Sequence, residues 1–154
     1  MIMPRIIKAH NQGKLRIIGT GNNVVNLTSI SNMVEAVRLS IETPHYNEDY
    51  NITNDESVKL WDSINTTLQL INKEPITKKV PLRIAIAFAN ILELMARLLN
   101  KNKEPVLTKY TVDLLSKSTT FDITKAKELL GYKVNQSTQD ALVEFAEWYL
   151  KENS

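Results

Sequence analysis

The sequence predicts an α+β fold, mostly helical with short strands, and three observations carry that prediction. Apolar residues recur at helical spacing in several long segments, most clearly at Trp61, Ile64, Leu68 and Ile71. β-Prone runs exist but are brief, as in Leu15-Arg16-Ile17-Ile18, Val24-Val25-Asn26-Leu27-Thr28 and Tyr50-Asn51-Ile52-Thr53. The length of 154 residues, 43% hydrophobic and 23% charged, suits one core rather than two. No internal repeat or low-complexity linker divides the chain, so residues 1–154 read as a single unit.

Each element has its own local reason. Pro4 suits the first turn of a helix over residues 3–12, Ile6 and Ile7 give it apolar surface, and Gly13 can close it in the left-handed conformation. The runs within 15–28 flank the turn-rich Gly19-Thr20-Gly21-Asn22-Asn23 and read as a hairpin-like pair. Asn32 with Glu35 resembles a capping pair for a helix over 30–43, along which Met33, Val37 and Ile41 recur up to the breaker Pro44. A strand over 49–53 and a helix over 57–72 follow. Lys78-Lys79-Val80-Pro81 is extended, because the residue before proline avoids the helical region, and a long apolar helix covers 82–100. Residues 108–154 read as C-terminal helices. The first runs from Tyr110 to Lys117, and the second follows a short extended segment and stops at Gly131. Ser137 and Asp140 open the third, with Ala141, Leu142, Phe145, Trp148 and Tyr149 as its buried face.

Composition excludes several function classes. Net charge is +2 with the basic residues spread from Arg5 to Lys151, so nucleic acid is not expected as a partner. No cysteine is present, which removes disulfides, thiolate metal sites and cysteine nucleophiles together. The start, Met1-Ile2-Met3-Pro4-Arg5, lacks the features of a secretory signal, and a cytoplasmic location is expected. The four Asn-x-Ser/Thr sequons at Asn26, Asn51, Asn65 and Asn135 therefore read as chance patterns. The abundance of Asn, Lys and Ile suggests an AT-rich bacterial genome.

Catalytic chemistry finds little support. Gly19-Thr20-Gly21 lacks the third glycine of a dinucleotide fingerprint and stands between two strands instead of opening a helix. The only other glycines are Gly13 and Gly131, so no alternative stretch can cradle a pyrophosphate. His10 and His45 have no second histidine or carboxylate at ligand spacing, and no metal site is expected. The acidic residues are scattered, with no pair spaced as an acid/base couple.

The helix over 82–100 exceeds ordinary structural need. Arg83, Asn90, Glu93, Arg97 and Asn100 cluster on a stripe of ~100°, while Ile84, Phe88, Ile91, Leu92, Met95, Leu98 and Leu99 occupy a wide apolar face. Three readings stay open: a buried core helix, a lid over an apolar substrate lined by Phe88, Leu92 and Met95, and a helix lying on a membrane surface. Spanning is disfavoured, since Arg83, Glu93 and Arg97 interrupt the run and a mid-membrane charge costs ~2.5–3.5 kcal/mol on insertion scales.

The phrase Thr119-Thr120-Phe121-Asp122-Ile123-Thr124-Lys125-Ala126-Lys127-Glu128-Leu129-Leu130-Gly131-Tyr132 resembles the end of an extended short-chain dehydrogenase/reductase. Pro4-Arg5-Ile6-Ile7-Lys8, Gly13-Lys14-Leu15, Gly19-Thr20-Gly21-Asn22-Asn23, Asn32, Glu35-Ala36, Tyr50-Asn51-Ile52-Thr53-Asn54 and Val58-Lys59-Leu60-Trp61-Asp62 look like the same family in the same order. Together they cover nearly the whole chain and point to the 3β-hydroxysteroid dehydrogenase-like branch. Where that branch commonly shows valine-aspartate-asparagine the chain has Ile30-Ser31-Asn32, and Asn26 stands where aspartate is frequent.

The resemblance implies the C-terminal substrate-binding part of an extended Rossmann-type reductase, without the nucleotide-binding half. That family interconverts a secondary alcohol and a ketone on a hydrophobic substrate with NAD or NADP. It keeps its cofactor site and catalytic residues in an N-terminal half that this sequence does not contain. Its catalytic tyrosine precedes a lysine by four residues, so that the ammonium lowers the phenol's pKa. Here the residues four after Tyr46, Tyr50, Tyr110, Tyr132 and Tyr149 are Tyr50, Asn54, Leu114, Gln136 and Asn153, and none fits. No catalytic residue, and no cofactor bound by this chain alone, is therefore expected. Ile84, Phe88, Leu92, Met95 and Tyr110 are the candidate substrate-binding residues, and Asn32, Asp122, Lys125, Gly131 and Tyr132 carry the family motifs.

The implied partners are an apolar small molecule of sterol or 3-oxoalkanoate type and the N-terminal Rossmann half. Self-association through an unpaired 49–53 strand and peripheral membrane contact are further expectations. A noncatalytic lipid-binding or interaction module, and a nucleotide-sugar epimerase/dehydratase fragment, are the alternatives.

Overall fold

A computed structural model describes residues 3–45, 47–98 and 107–153 of the chain. The elements in order are α1 (Met3–Asn11), β1 (Ile17–Ile18), β2 (Val24–Asn26), α2 (Ile30–Glu42), β3 (Ser57–Lys59), α3 (Leu60–Leu70), β4 (Lys79–Val80), α4 (Leu82–Leu98), α5 (Lys109–Ser116), α6 (Thr124–Leu129) and α7 (Thr138–Glu152). The fold is mostly helical with short strands. Leu99 and Asn100, expected to finish the apolar helix, lie outside the described residues.

The expected hairpin of 15–28 does not form. β1 pairs in parallel with β4, Ile17 opposite Lys79 and Ile18 opposite Val80, whereas β2 pairs antiparallel with β3. Burial gives the physical reason. Ile17 and Ile18 are both buried, so this strand has no solvent face to alternate with, as in parallel strands covered on both sides. Pro81 holds the preceding Lys79-Val80 extended, ready to serve as its partner. The connection turns through Gly19 and Gly21, at φ 70° and 78°, and a Cβ on Gly21 would lie 2.7 Å from Ile17 Cγ2.

Residues 50–53 are not a strand, a second correction. Two of their carbonyls are taken by side chains, Thr28 Oγ1 donating to Ile52 O (2.8 Å) and Tyr132 Oη to Thr53 O (2.9 Å), and the next residue, Asn54, donates its N–H to Leu27 O (2.8 Å). The strand edge on which self-association was expected is thus not formed. The strand lies instead at Ser57–Lys59, inside the segment expected to be helical from residue 57. There Asp55 turns the chain at φ 57°, β3 pairs with β2, and α3 begins only at Leu60, whose N–H donates to Asn23 O (3.1 Å).

Helix α2 is capped by Ser29, whose hydroxyl accepts from Asn32 N, and not by Asn32 with Glu35. Glu35 and Glu42 instead clasp Arg38, with closest contacts of 2.7 Å to each. The Arg38 hydrogen bond lowers the pKa of Glu35, and the two carboxylates raise that of Arg38. Helix α7 starts where Ser137 accepts from Asp140 N, but Trp148 is exposed while Thr138, Leu142 and Ala146 are buried. Trp148 projects outward, its ring tilted 44° to that of Phe145 with centroids 5.8 Å apart, while Tyr149 packs half-buried against the core.

The buried apolar side chains form two clusters, where one core was expected. The larger joins Ile7, Ile17, Ile18, Trp61, Ile64, Leu68, Ile71, Ala85, Ala89 and Val112. Trp61 Nε1 donates to Leu115 O (3.0 Å), pinning α3 to α5. The smaller joins Ala36, Ile123, Ala126, Leu130 and Tyr132, fastening α6 beneath α2. A polar layer between α2 and the start of α7, described below, accompanies this division.

Candidate functional site

The sequence places four of the five candidate substrate residues on α4, and its small residues decide how that helix is mounted. Ala85 and Ala89, at 3% and 0% exposure, form its buried seam, so the helix backbone can approach the core closely. The large residues point away. Ile84, Phe88 and Met95 are 59%, 55% and 50% exposed, with Ile91, Leu94 and Leu98 beside them, while Leu92 is half-buried on the flank. The reading of α4 as a buried core helix is thereby corrected, because only Ala85 and Ala89 are buried. Ile84, Phe88 and Met95 share one outward stripe within ~40° of helix circumference.

Tyr110, at 75% exposure, is not gathered into that stripe. Its neighbour Lys109 donates its backbone N–H to Glu93 Oε1 (2.8 Å), on the side of α4 roughly opposite Phe88. Thr108 caps α5 by accepting from Thr111 N, and the Glu93 carboxylate reaches another free N–H of that helix's first turn.

Of the family-motif residues, Asn32 sits in a separate polar junction, while Asp122, Lys125, Gly131 and Tyr132 lie around α6. Asn32 is fully buried at 0% exposure, and its amide is fully used. Nδ2 donates to Asn54 Oδ1 and to Gln136 O, both at 2.8 Å, while Oδ1 accepts from Asn135 N (2.9 Å) and Gln136 N (3.1 Å). Asn54 extends the junction by accepting from Ser29 N (2.8 Å) and donating to Thr138 Oγ1 (3.3 Å). Three segments distant in sequence thus meet on two amides. Asn26, at a position where aspartate was the expectation, donates to Glu56 O (2.8 Å) and accepts from Phe121 N (2.6 Å), and an aspartate could supply only the second bond.

Around α6, Asp122 Oδ1 accepts from Thr124 N (2.6 Å), and hydrogen bonds from Thr124 lower its pKa. Lys125 Nζ donates to Glu48 Oε2 (2.7 Å) and lies 5.3 Å from the centre of the Tyr50 ring; its pKa is raised, mainly by Glu48. Gly131 ends the helix at φ 66°, in the left-handed region. Tyr132, 1% exposed, has its pKa raised by burial. Asn54 and Ser29 escaped the sequence reading as keystones, although Asn54 closes one of the motifs quoted for the resemblance. Hydrophobic periodicity carries no signal for a buried amide.

A groove of about 280 Å³ opens between α3, β3 and the start of α7, bordered by Glu56, Lys59, Asp62, Thr66 and Gln139. None of the candidate substrate residues lines it. Among the described residues no group of three or more His, Asp or Glu is arranged to hold a metal, and no helix is long and apolar enough to cross a membrane.

The Gly19–Gly21 turn does not fit a dinucleotide. It joins two strands, Gly19 N donates to Val80 O (2.8 Å), and Lys79 Nζ is drawn to Thr20 O (3.1 Å). No helix N-terminus follows to receive a pyrophosphate.

No family model matches the chain. It is similar to the 2-alkyl-3-oxoalkanoate reductase of Shewanella oneidensis, 33% identical over 147 residues, covering 92% of this chain and 38% of that protein. It is likewise similar to isoform 2 of the 3β-hydroxysteroid-dehydrogenase/decarboxylase of Arabidopsis thaliana, 33% identical across 86% of this chain and 26% of that one. In structure it resembles the UDP-glucuronic acid 4-epimerase of Bacillus cereus, solved with NAD, at a TM-score of 0.61 and 22% identity, over 99% of this chain and 39% of that chain. The chain thus spans between about a quarter and two-fifths of the length of these relatives.

Proposed function

Because the chain belongs to the extended short-chain dehydrogenase/reductase family, the NAD-dependent epimerase/dehydratase superfamily, we propose that it is the substrate-side part of an oxidoreductase. That enzyme interconverts a secondary alcohol and a ketone on a hydrophobic substrate of sterol or 3-oxoalkanoate type. The observation that carries the reading is the outward face of α4, where Ile84, Phe88 and Met95 present adaptable apolar surface with no covering element among the described residues. Leu92 extends that surface on its flank, whereas Tyr110 stands apart from it and is left out of the proposed site.

In this reading the chain binds and orients the apolar part of the substrate and keeps water from it. It performs no hydride transfer alone, since it lacks both a glycine-rich helix start and a Tyr-x-x-x-Lys pair. NAD or NADP belongs to the nucleotide-binding half of the parent enzyme, and the setting is cytoplasmic.

The test is uptake of a fluorescent long-chain 3-oxo ester by the 154-residue chain, followed by anisotropy, with NADPH and a UDP-sugar titrated in parallel. Burying a Phe side chain is worth about 1.5–3 kcal/mol, so Phe88→Ala should weaken uptake by about tenfold or more. Unchanged affinity in Phe88→Ala would remove α4 from the site. Preference for the UDP-sugar would instead favour a nucleotide-sugar enzyme.

A further inference from the structure

The cations of this chain are spread along the sequence, but the fold gathers many of them. Residues 1–34 carry Arg5, Lys8, Lys14 and Arg16 with no Asp or Glu, and residues 75–92 carry Lys78, Lys79 and Arg83, again with none. These two segments pack together. β1 pairs with β4, Ile17 N donates to Lys78 O (3.0 Å), and Ile7, Ile17, Ile18, Ala85 and Ala89 share one cluster. Because the whole chain has a net charge of only +2, seven unbalanced cations on neighbouring elements leave its remainder acidic. Among the described residues the ion pairs are made by Arg38, Lys117, Lys125 and Lys127, and none lies on α1, β1, β4 or α4. Arg16 and Lys79 donate instead to the carbonyls of Gly13, Leu15 and Thr20, so their charge stays uncompensated and draws anions.

This basic region runs into the outward face of α4. Arg83, Asn90 and Arg97 fall within ~40° of one another around the helix and border the stripe of Ile84, Phe88 and Met95, while Glu93 is turned away to Lys109 N. At the N-terminal end of the stripe Lys79 reaches Thr20 O, and a Cβ on Gly19 would lie 3.8 Å from Leu82 Cβ. The apolar stripe therefore begins among cations.

We propose that the molecule taken by the α4 face is an amphiphile with a multiply charged, phosphate-bearing head. Its apolar chain lies along α4, and its head seats on Arg83, Lys79 and the neighbouring cations of α1 and β1. The inference rests on the reading of α4 as the substrate surface and names the substrate class. A single carboxylate would answer one arginine and leave the other cations facing one another, whereas several phosphate oxygens suit Arg and Lys together. A second copy of the chain does not fit, since pairing two α4 stripes sets the arginines of both copies against each other. Nucleic acid does not fit either, because residues 1–34 and 75–87 contain no Phe, Trp or Tyr on which a base could stack. A long chain ending in phosphate is found in acyl thioesters of coenzyme A and in anionic phospholipids, and the test separates these two sources.

Dodecanoyl coenzyme A, dodecanoic acid, methyl dodecanoate and free coenzyme A are each titrated, below micelle formation, against the fluorescent 3-oxo ester bound to the 154-residue chain. Dodecanoyl coenzyme A should compete at least tenfold better than the other three, and the advantage should shrink severalfold between about 50 and 500 mM salt. Arg83→Gln combined with Lys79→Gln, both exposed positions, should remove the advantage and leave methyl dodecanoate unchanged. Lys151→Gln should alter neither. Sedimentation with phosphatidylglycerol and phosphatidylcholine vesicles runs in parallel. Binding to phosphatidylglycerol alone, lost in the double variant and without a preference for the coenzyme A ester, keeps the proposal and identifies a lipid as the source of the head. Equal competition by the acid and the coenzyme A ester, with no preference between the vesicles, overturns the proposal and leaves α4 as the substrate surface. An advantage that survives in the double variant also overturns it. Failure of the chain to bind the 3-oxo ester or any of the dodecanoyl compounds removes the functional reading, and the proposal with it.

Discussion

Replacing Asn32 by aspartate removes one hydrogen-bond donor group from a buried position whose amide is fully used, and the consequence can be worked out atom by atom. The Oδ1 side is unchanged and still accepts from Asn135 N and Gln136 N. The Nδ2 side becomes an oxygen 2.8 Å from two other acceptors, Asn54 Oδ1 and Gln136 O. Two donated bonds are lost and two acceptors are set against a third, inside a site of 0% exposure. Each buried group left without its partner costs about 1–3 kcal/mol, so the loss at neutral pH should be about 3–5 kcal/mol, a large share of the 5–15 kcal/mol a domain holds.

Protonating the new carboxyl restores one donor, so its folded-state pKa must lie above the unfolded value of about 3.9. The sign follows: Asn32→Asp is least destabilising below that unfolded value, and the penalty grows as pH rises through the folded one. The assay is urea unfolding followed by fluorescence of Trp61, which is buried. With a slope of about 2 kcal/mol/M the midpoint should fall by ~2 M at pH 7, and by clearly less at pH 4. A midpoint within ~0.3 M of wild type at pH 7, or a penalty independent of pH, would refute the reasoning.

Tyr132→Phe deletes the bond to Thr53 O and should cost about 1–2 kcal/mol. Because burial raises the phenol's pKa in the fold, wild-type stability is fully present below pH ~10 and declines as pH climbs from there toward the folded value. The phenylalanine variant should lack that decline in alkaline melting curves. Gly21→Ala meets both a φ of 78° and Ile17 Cγ2 at 2.7 Å, whereas Gly131→Ala meets φ 66° with nothing within 4 Å. The second should cost about 1–2 kcal/mol of backbone strain and the first measurably more, read as thermal midpoints of the pair. Ser29→Ala should lower stability by about 1 kcal/mol through loss of the α2 cap, while Glu35→Ala should stay within about 0.5 kcal/mol. The reverse order would restore Asn32 and Glu35 as the capping pair.

The sequence by itself determined the helices and most of their ends. Pro81 before α4, Ser137 before α7, Gly131 after α6 and the stripe of Trp61, Ile64 and Leu68 all act within one or two turns of the chain, and short-range chemistry can be read residue by residue. It also determined the family, because those local signatures occur in a fixed order. Tertiary structure decided the strand partners, since Ile17 and Ile18 chose Lys79 and Val80 across about sixty residues, to keep both isoleucines from water. It decided which faces are open as well. Periodicity marks the apolar stripes on α2 and α4 but cannot say whether anything covers them, and Asn32 with Ala36, then Ala85 with Ala89, turned out to be the sides that face inward. Burial depends on what the rest of the chain brings to a surface, and in α2 and α4 the small residues and the satisfied amide pack closely enough to go inside, leaving the large aliphatic residues outside.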